Sequence, residues 1–261
     1  MPAPPDDSVL ETITRRRSLL AALEDGPRDK RDIVDALECS RSTIDRAIRE
    51  LEWLAFVDRT DGAYRLTVAG QLALAEHRRR LESIDAIARV ADLLEYVPHD
   101  APMAPSVLEG ATVHEREPHA PNEPLEEIAA LIGTADRLRG FAAADRIPQF
   151  RHQLYDRTLD GTLDAEVLFT DELTTFLLED RPREIRELLV DGTLDIYSIR
   201  SIPYGLGIVE TPSSSQAFVV VQNEAAEVQG VIQNDSPAAL EWADAVYRRY
   251  RATATKLDPP T

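Results

Sequence analysis

The sequence predicts an α+β chain in three parts, and three patterns carry that prediction. Short apolar periodicities of helical spacing fill residues 8–66 and close on a small hairpin. One long helical pattern follows over 67–97. Strand and helix patterns then alternate over 104–255, before four strands come in succession. With 43% apolar and 29% charged residues over 261 positions, the chain can build one large or two modest cores and lacks the composition of a disordered polyelectrolyte.

In the first part Val9, Leu10 and Ile13 open an apolar stripe that continues at Leu19, Leu20 and Leu23; a break near Thr14 would divide it into two helices. Gly26-Pro27 stops it, and a helix over 28–37 turns Ile33, Val34 and Leu37 inward. After the turn Glu38-Cys39-Ser40, Ser40 is the expected N-cap of a helix over 41–54. Ile44, Ala47, Ile48 and Leu51 share one face of that helix, and Arg41, Ser42, Asp45, Arg46 and Arg49 the other. Two helices joined by a tight turn, the second with an arginine and short-polar face, suit a major groove. Arginine forks read guanine edges or grip phosphate, and the small Ser42 and Thr43 let the helix N-terminus approach the backbone. Residues 56–60 and 63–66 form a hairpin around Asp61-Gly62, which tolerates the positive φ of a tight turn. Arg59 and Arg65 flank its tip as on a wing.

The segment GPRDKRDIVDALECSRSTIDRAIRELEWLAFVDRTDGAYRLTVAG resembles the winged helix-turn-helix transcription regulators of archaea almost end to end. The resemblance implies a domain over 8–66 that binds double-stranded DNA. Ser40, Arg41, Ser42, Thr43, Asp45, Arg46 and Arg49 would lie at the major groove, and Arg59 and Arg65 at the adjacent minor groove or backbone. The competing reading is a winged helix that binds a protein partner; a face studded with apolar residues would favour it, and this face is arginine and short polar.

Thr67 is the expected cap of the helix over 67–97, about 30 residues and roughly 45 Å long. Leu74, Leu81, Ile84, Ala88 and Ala91 recur along it near a 3.5 to 3.6 residue repeat, which suits burial against a second copy of the helix. A homodimer with two recognition helices about one DNA turn apart is the expectation. Residues 98–124 hold six prolines and read as a connector around a short strand near 111–116.

In residues 125–255, the stretches ADRLRGFAAA, SIRSIPYGLGIVE and GVIQNDSPAALEWADAVYRRYRATA resemble the effector-binding region of TrmB-like and methanogen filament-regulator-like archaeal proteins. The alternation predicts a mixed α/β sheet, and the resemblance implies that it senses a metabolite or a cellular signal, with a small-molecule effector as a partner. Polar residues expected at strand ends are the candidate ligand contacts: Arg139, Asp145, Tyr197, Arg200, Tyr204 and Asn234, with Thr170 and Asp171 beside them. Arg139 or Arg200 would clamp an anion. Phe141, Phe169, Ile196, Ile208, Val219 and Val221 read as sheet core, and Trp242 and Tyr247 as packing on the last helix.

Catalytic constellations are missing from the sequence. The sheet of this family is compared with phospholipase D-like folds, whose chemistry needs a His-x-Lys. The only lysine after Lys30 is Lys256, with no histidine two before it. No Gly-x-Ser-x-Gly and no phosphate-cradling loop with lysine occur either, so no enzyme activity and no cofactor are expected. His114, Glu115, Glu117 and His119 cluster, yet Pro118 interrupts them and no helical pair forms, so no metal is expected. The single Cys39 excludes an intrachain disulfide. It is expected to be a small buried turn residue, with a redox switch next to the recognition helix as the alternative. Residues 1–7 lack a basic and apolar leader, and no stretch approaches 18 apolar residues. A cytoplasmic protein without a membrane span is expected.

Charge qualifies the DNA reading. The chain carries 29 basic and 47 acidic residues, a net −18 that taken alone argues against a polyanionic partner. Residues 1–80, however, hold 14 basic and 15 acidic side chains, so nearly all the excess lies beyond them. With 27 of the basic residues arginine and two lysine, the acid surplus suggests a halophile, in which molar salt screens the self-repulsion.

Overall fold

The computed structural model describes residues 6–258 apart from 118, 121–122, 146–147 and 192–193. The chain forms two compact units, Met1–Ile84 and Asp85–Thr261.

The first unit begins with α1 (Asp6–Ala22), α2 (Lys30–Leu37) and α3 (Arg41–Trp53). α1 runs through Thr14 without the expected break, because the Thr14 hydroxyl donates to the Leu10 carbonyl 2.9 Å away and stays satisfied inside the helix. Asp29 caps α2 by accepting from the Asp32 amide, and Glu38 ends it at φ 50°, in the left-handed region. Next come β1 (Val57–Thr60) and β2 (Ala63–Leu66), antiparallel around Asp61 and Gly62 at φ 53° and 89°. Both angles are positive, as a two-residue hairpin requires. α4 (Val68–Arg89) follows, its first turn capped by Thr67, whose hydroxyl accepts from the Gly70 amide and donates to the Ala55 carbonyl. Gly70 has no room for a side chain: a Cβ there would stand 2.0 Å from the Phe56 carbonyl oxygen. Leu20, Leu23, Ile33, Ile44, Leu51, Val57 and Leu74 are among the core residues of this unit.

α4 stops eight residues short of the expected helix end and spans about 33 Å. Val90 leaves helical geometry (φ −113°, ψ 14°), and α5 (Ala91–Leu94) is a separate turn. The break lets Ala86, Val90 and Leu93 enter one apolar cluster of the second unit. Leu74, expected on the stripe facing a second copy, is instead 3% exposed in the core of the first unit.

In the second unit α6 (Pro105–Leu108), β3 (Thr112–Glu115), α7 (Glu123–Gly133), β4 (Arg137–Ala142) and α8 (Pro148–Leu159) come first. β5 (Asp164–Thr170), α9 (Asp171–Asp180), α10 (Pro182–Asp191), β6 (Leu194–Ile199) and β7 (Gly205–Glu210) follow, then β8 (Ser215–Gln222), β9 (Val228–Asn234), α11 (Pro237–Arg251) and β10 (Thr255–Lys256). The sheet order is β10-β6-β5-β4-β7-β8-β9-β3, with β4, β5 and β6 parallel and the other pairs antiparallel. Helices α7 to α10 cover one face; α5, α6 and α11 cover the other. This is the mixed α/β sheet expected, in three layers.

One boundary differs from expectation. The 98–124 stretch is no spacer, since Val107 and Leu108 are core residues and β3 pairs with β9 as the sheet's edge strand. α9 and α10 are separated at Arg181 (φ −136°), because Pro182 disfavours helical backbone in the residue before it.

Candidate nucleic-acid interface

α3 owes its position to one apolar face and one cap. Ile44, Ala47, Ile48 and Leu51 are at most 3% exposed, which fixes the rotation of the helix and leaves Arg41, Ser42, Thr43, Arg46 and Arg49 exposed on the other side. Ser40 accepts from the Thr43 amide at 3.2 Å, and its hydroxyl also lies 3.0 Å from that of Ser42 and 2.8 Å from that of Thr43. Three small hydroxyls therefore stand at the positive end of the helix, where a phosphate is favoured.

The charged residues of this face are not equivalent. Arg41 has no ion-pair partner among the described residues, and the Arg49 guanidinium is held only by the Asp45 carbonyl at 3.2 Å. Asp45 pairs with Lys30 of α2 at 2.6 Å, which holds its carboxyl below the usual range. The pair ties the two helices together. Arg46 is hydrogen-bonded to Glu50 at 3.1 Å. Glu50 also receives Arg16 at 2.9 Å and Arg15 at 3.4 Å from α1. These hydrogen bonds, led by Arg16, lower the Glu50 carboxyl to about 2.

On the wing, Arg65 makes a two-pronged pair with Asp58 on the neighbouring strand, at 2.7 and 3.1 Å. Arg59 lies over the Tyr64 ring, 5.4 Å from its centroid, and its charge stays exposed. Arg15 and Trp53, neither singled out in the sequence, border the same surface groove as Arg46 and Arg49. The run Arg15-Arg16-Arg17 was the available signal for the first. Cys39, expected buried, is exposed. No group of three or more potential metal ligands occurs among the described residues.

The six candidate ligand contacts are not gathered into one cavity. Arg139 is hydrogen-bonded to Asp244 at 2.6 Å and Glu210 at 3.0 Å, so its fork is already filled by carboxylates. Asp145 pairs with Arg151. Tyr197 is buried under Arg251, 3.3 Å from its ring centroid. The buried Tyr204 hydroxyl donates to the Pro102 carbonyl. Asn234 donates to the Val107 and Glu109 carbonyls and accepts from the Ser236 amide, fastening β9 to α6. Arg200 is exposed at the end of β6. Beside them, Thr170 caps α9 and Asp171 accepts from Ser198. Phe141, Phe169, Ile196, Ile208, Val219 and Val221 are core residues. No helix among the described residues is long and apolar enough to cross a membrane.

A helix-turn-helix with a hairpin wing, followed by a three-layer mixed sheet, defines a class of chains with a winged-helix head. Comparison of families narrows it. Residues 121–253 match the middle domain of the methanogenesis regulatory protein FilR1, and residues 6–89 match the HVO_A0261 N-terminal domain. The chain belongs to the FilR1 family of regulatory proteins. Among solved structures it is similar to TrmBL2, described as an archaeal chromatin protein with a novel mode of DNA binding, at 15% identity over 97% of this chain and 100% of that one (TM-score 0.45). It is also similar to the phosphatidylserine synthase of Haemophilus influenzae Rd KW20, at 15% identity over 56% and 39% of the two chains (TM-score 0.41). No curated protein matches at a significant level.

Proposed function

We propose that this protein is a DNA-binding transcription regulator that acts as a homodimer and is modulated by a small-molecule effector bound in the second unit. The observation that carries the reading is the two-sidedness of α3. Its apolar side is buried, while Arg41, Ser42, Thr43, Arg46 and Arg49 stand exposed beside a capped N-terminus. A major groove needs such a helix, with cations and short polar groups free to reach base edges. The wing adds Arg59 for the neighbouring backbone or minor groove, and Arg65 once Asp58 releases it. The homodimer is supported by α4, which exposes Leu81, Ile84 and Ile87 at 41, 54 and 37%, an unpartnered apolar stripe that a second copy of the helix would cover.

The test joins two measurements. Genome-wide crosslinking supplies the bound promoter fragments, and these are footprinted in molar KCl with the wild type and with Arg46→Ala/Arg49→Ala. Each lost base contact costs about 1–3 kcal/mol, so the double variant should lose the footprint. It should keep its fold, because Arg15 and Arg16 still hold Glu50. An unchanged footprint overturns the assignment of α3, and a crosslinking map without promoter enrichment turns the reading to a winged helix that binds a protein partner.

A further inference from the structure

Where β4 meets β7 the sheet changes from parallel to antiparallel pairing. Gly140 lies there on β4, and Gly205 and Gly207 on β7. A Cβ at Gly140 would stand 2.2 Å from the Leu206 carbonyl oxygen, and one at Gly207 2.1 Å from the Phe218 ring. Gly140 leaves no room for a side chain, and the space over Gly207 is taken by the Phe218 ring, so on the α7 side β4 and β7 contribute no side chain here and Phe218 forms part of the wall. A cavity of about 90 Å³ lies over it, roofed by Leu125, Ile128 and Ile132 of α7 and flanked by Phe150. Gln222 is the one polar side chain among its described lining residues. A second cavity of about 60 Å³ adjoins the first and shares Ala142, Ala144, Phe150 and Phe169 with it. The Asp145 to Arg151 and Arg181 to Glu184 pairs stand in its wall.

We infer that this double cavity binds a small apolar molecule, an aromatic or branched hydrocarbon of benzene size or slightly larger. The inference rests on the effector-sensing reading above and names the chemistry of the effector. Three arguments point there. The switch point of an α/β sheet, at the C-terminal end of a parallel strand such as β4, is where such sheets leave a crevice. An engineered cavity of about 150 Å³ lined by aliphatic and aromatic side chains stays dry and accepts benzene, and this pair of cavities is of that order. The first cavity, with Gln222 as the one polar side chain of its described lining, offers a sugar or an anion little for the hydrogen bonds it would give up, and the charged groups in the wall of the second are engaged with each other as ion pairs. The same strands carry Phe141 and Leu206 on their opposite face, in one cluster with Ala86 and Val90 at the end of α4. An occupant therefore sits one sheet thickness from that helix.

Toluene is the probe, with inorganic phosphate as the polar arm, each added in molar KCl to the full-length protein without DNA. Saturation-transfer NMR and a thermal melt are expected to show toluene bound and stabilising, and phosphate without effect. Ala142→Leu and Ala144→Leu each place extra atoms at positions lining both cavities and should weaken toluene binding at least about tenfold, the equivalent of one 1.4 kcal/mol step, with an unchanged circular dichroism spectrum. Should a variant fail to fold, methyl shifts of Ile128, Ile132 and Val220 on adding toluene to the wild type decide the question, and shifts confined elsewhere overturn the site. Absence of transfer to toluene, its persistence in both folded variants, or stabilisation by phosphate alone also overturns it. Because DNA is absent, failure here leaves the footprint of Arg46 and Arg49 untouched, and failure of the footprint leaves this result standing.

Discussion

Glu50 shows how one side chain sets the character of a surface. It is an acid in the middle of the helix proposed to meet DNA, yet it draws Arg16 and Arg15 of α1 and Arg46 of α3 to itself and so keeps basic side chains gathered along that edge. Its carboxyl titrates near 2 in the folded chain, against an ordinary value of 4.5. Because the folded value is the lower one, the carboxylate contributes stability above pH 4.5 and loses that contribution as pH falls toward 2. The cluster is partly solvated, so its worth is about 1 kcal/mol and smaller in molar salt. Glu50→Gln should therefore unfold in urea about 1 kcal/mol more easily than the wild type at pH 7 and low salt. The two curves should converge near pH 2. A constant gap across that range would mean that the glutamine disturbs packing and that the carboxylate charge plays no part.

At the scale of elements, helices and strands with one apolar face were legible because burial forces a period of 3.6 or 2 on the sequence. α3 and the hairpin fall where the pattern puts them, the second unit alternates strands and helices before its run of strands as the pattern requires, and Ser40 and Thr67 cap the helices that follow them. Periodicity says which face is apolar but not what covers it, and the differences follow from that. Leu74 was read as facing a second copy and faces its own core; Val90 breaks a pattern that looked continuous because the second unit takes it in. Pairings between distant positions, such as Arg16 with Glu50 or Arg139 with Asp244, left no trace in local spacing. The Gly140 and Gly207 floor was equally silent, since nothing in the sequence says which side chains a bare strand will face. The stripe that stays exposed on α4 gives the prediction for this scale. Leu81→Glu/Ile84→Glu should turn a particle of twice 29.1 kDa into one of 29.1 kDa in sedimentation equilibrium, with helix content kept. A wild type already at the single mass would show that α4 is not the seat of a dimer.

For the whole molecule, the net charge of −18 divides along the boundary between the two units. Met1–Ile84 holds 14 basic and 16 acidic residues, and Asp85–Thr261 holds 15 and 31, so the second unit carries −16 of the total. Self-repulsion among so many carboxylates opposes compaction at low salt, where the Debye length is about 10 Å at 0.1 M. It is largely screened at 1 M, where that length is about 3 Å. Salt should therefore stabilise the second unit strongly and the first one little. The two tryptophans allow this to be read separately, since Trp53 lies in the first unit and Trp242, half-buried with its ring 6.4 Å from that of Tyr204, in the second. Trp53→Phe leaves fluorescence that reports on the second unit, and Trp242→Phe leaves fluorescence that reports on the first. Melting each variant at rising KCl should give a midpoint that climbs steeply for the Trp242 signal and stays nearly level for the Trp53 signal. Equal slopes would show that local ion pairs, and not the acid surplus of the second unit, set the response of the molecule to salt.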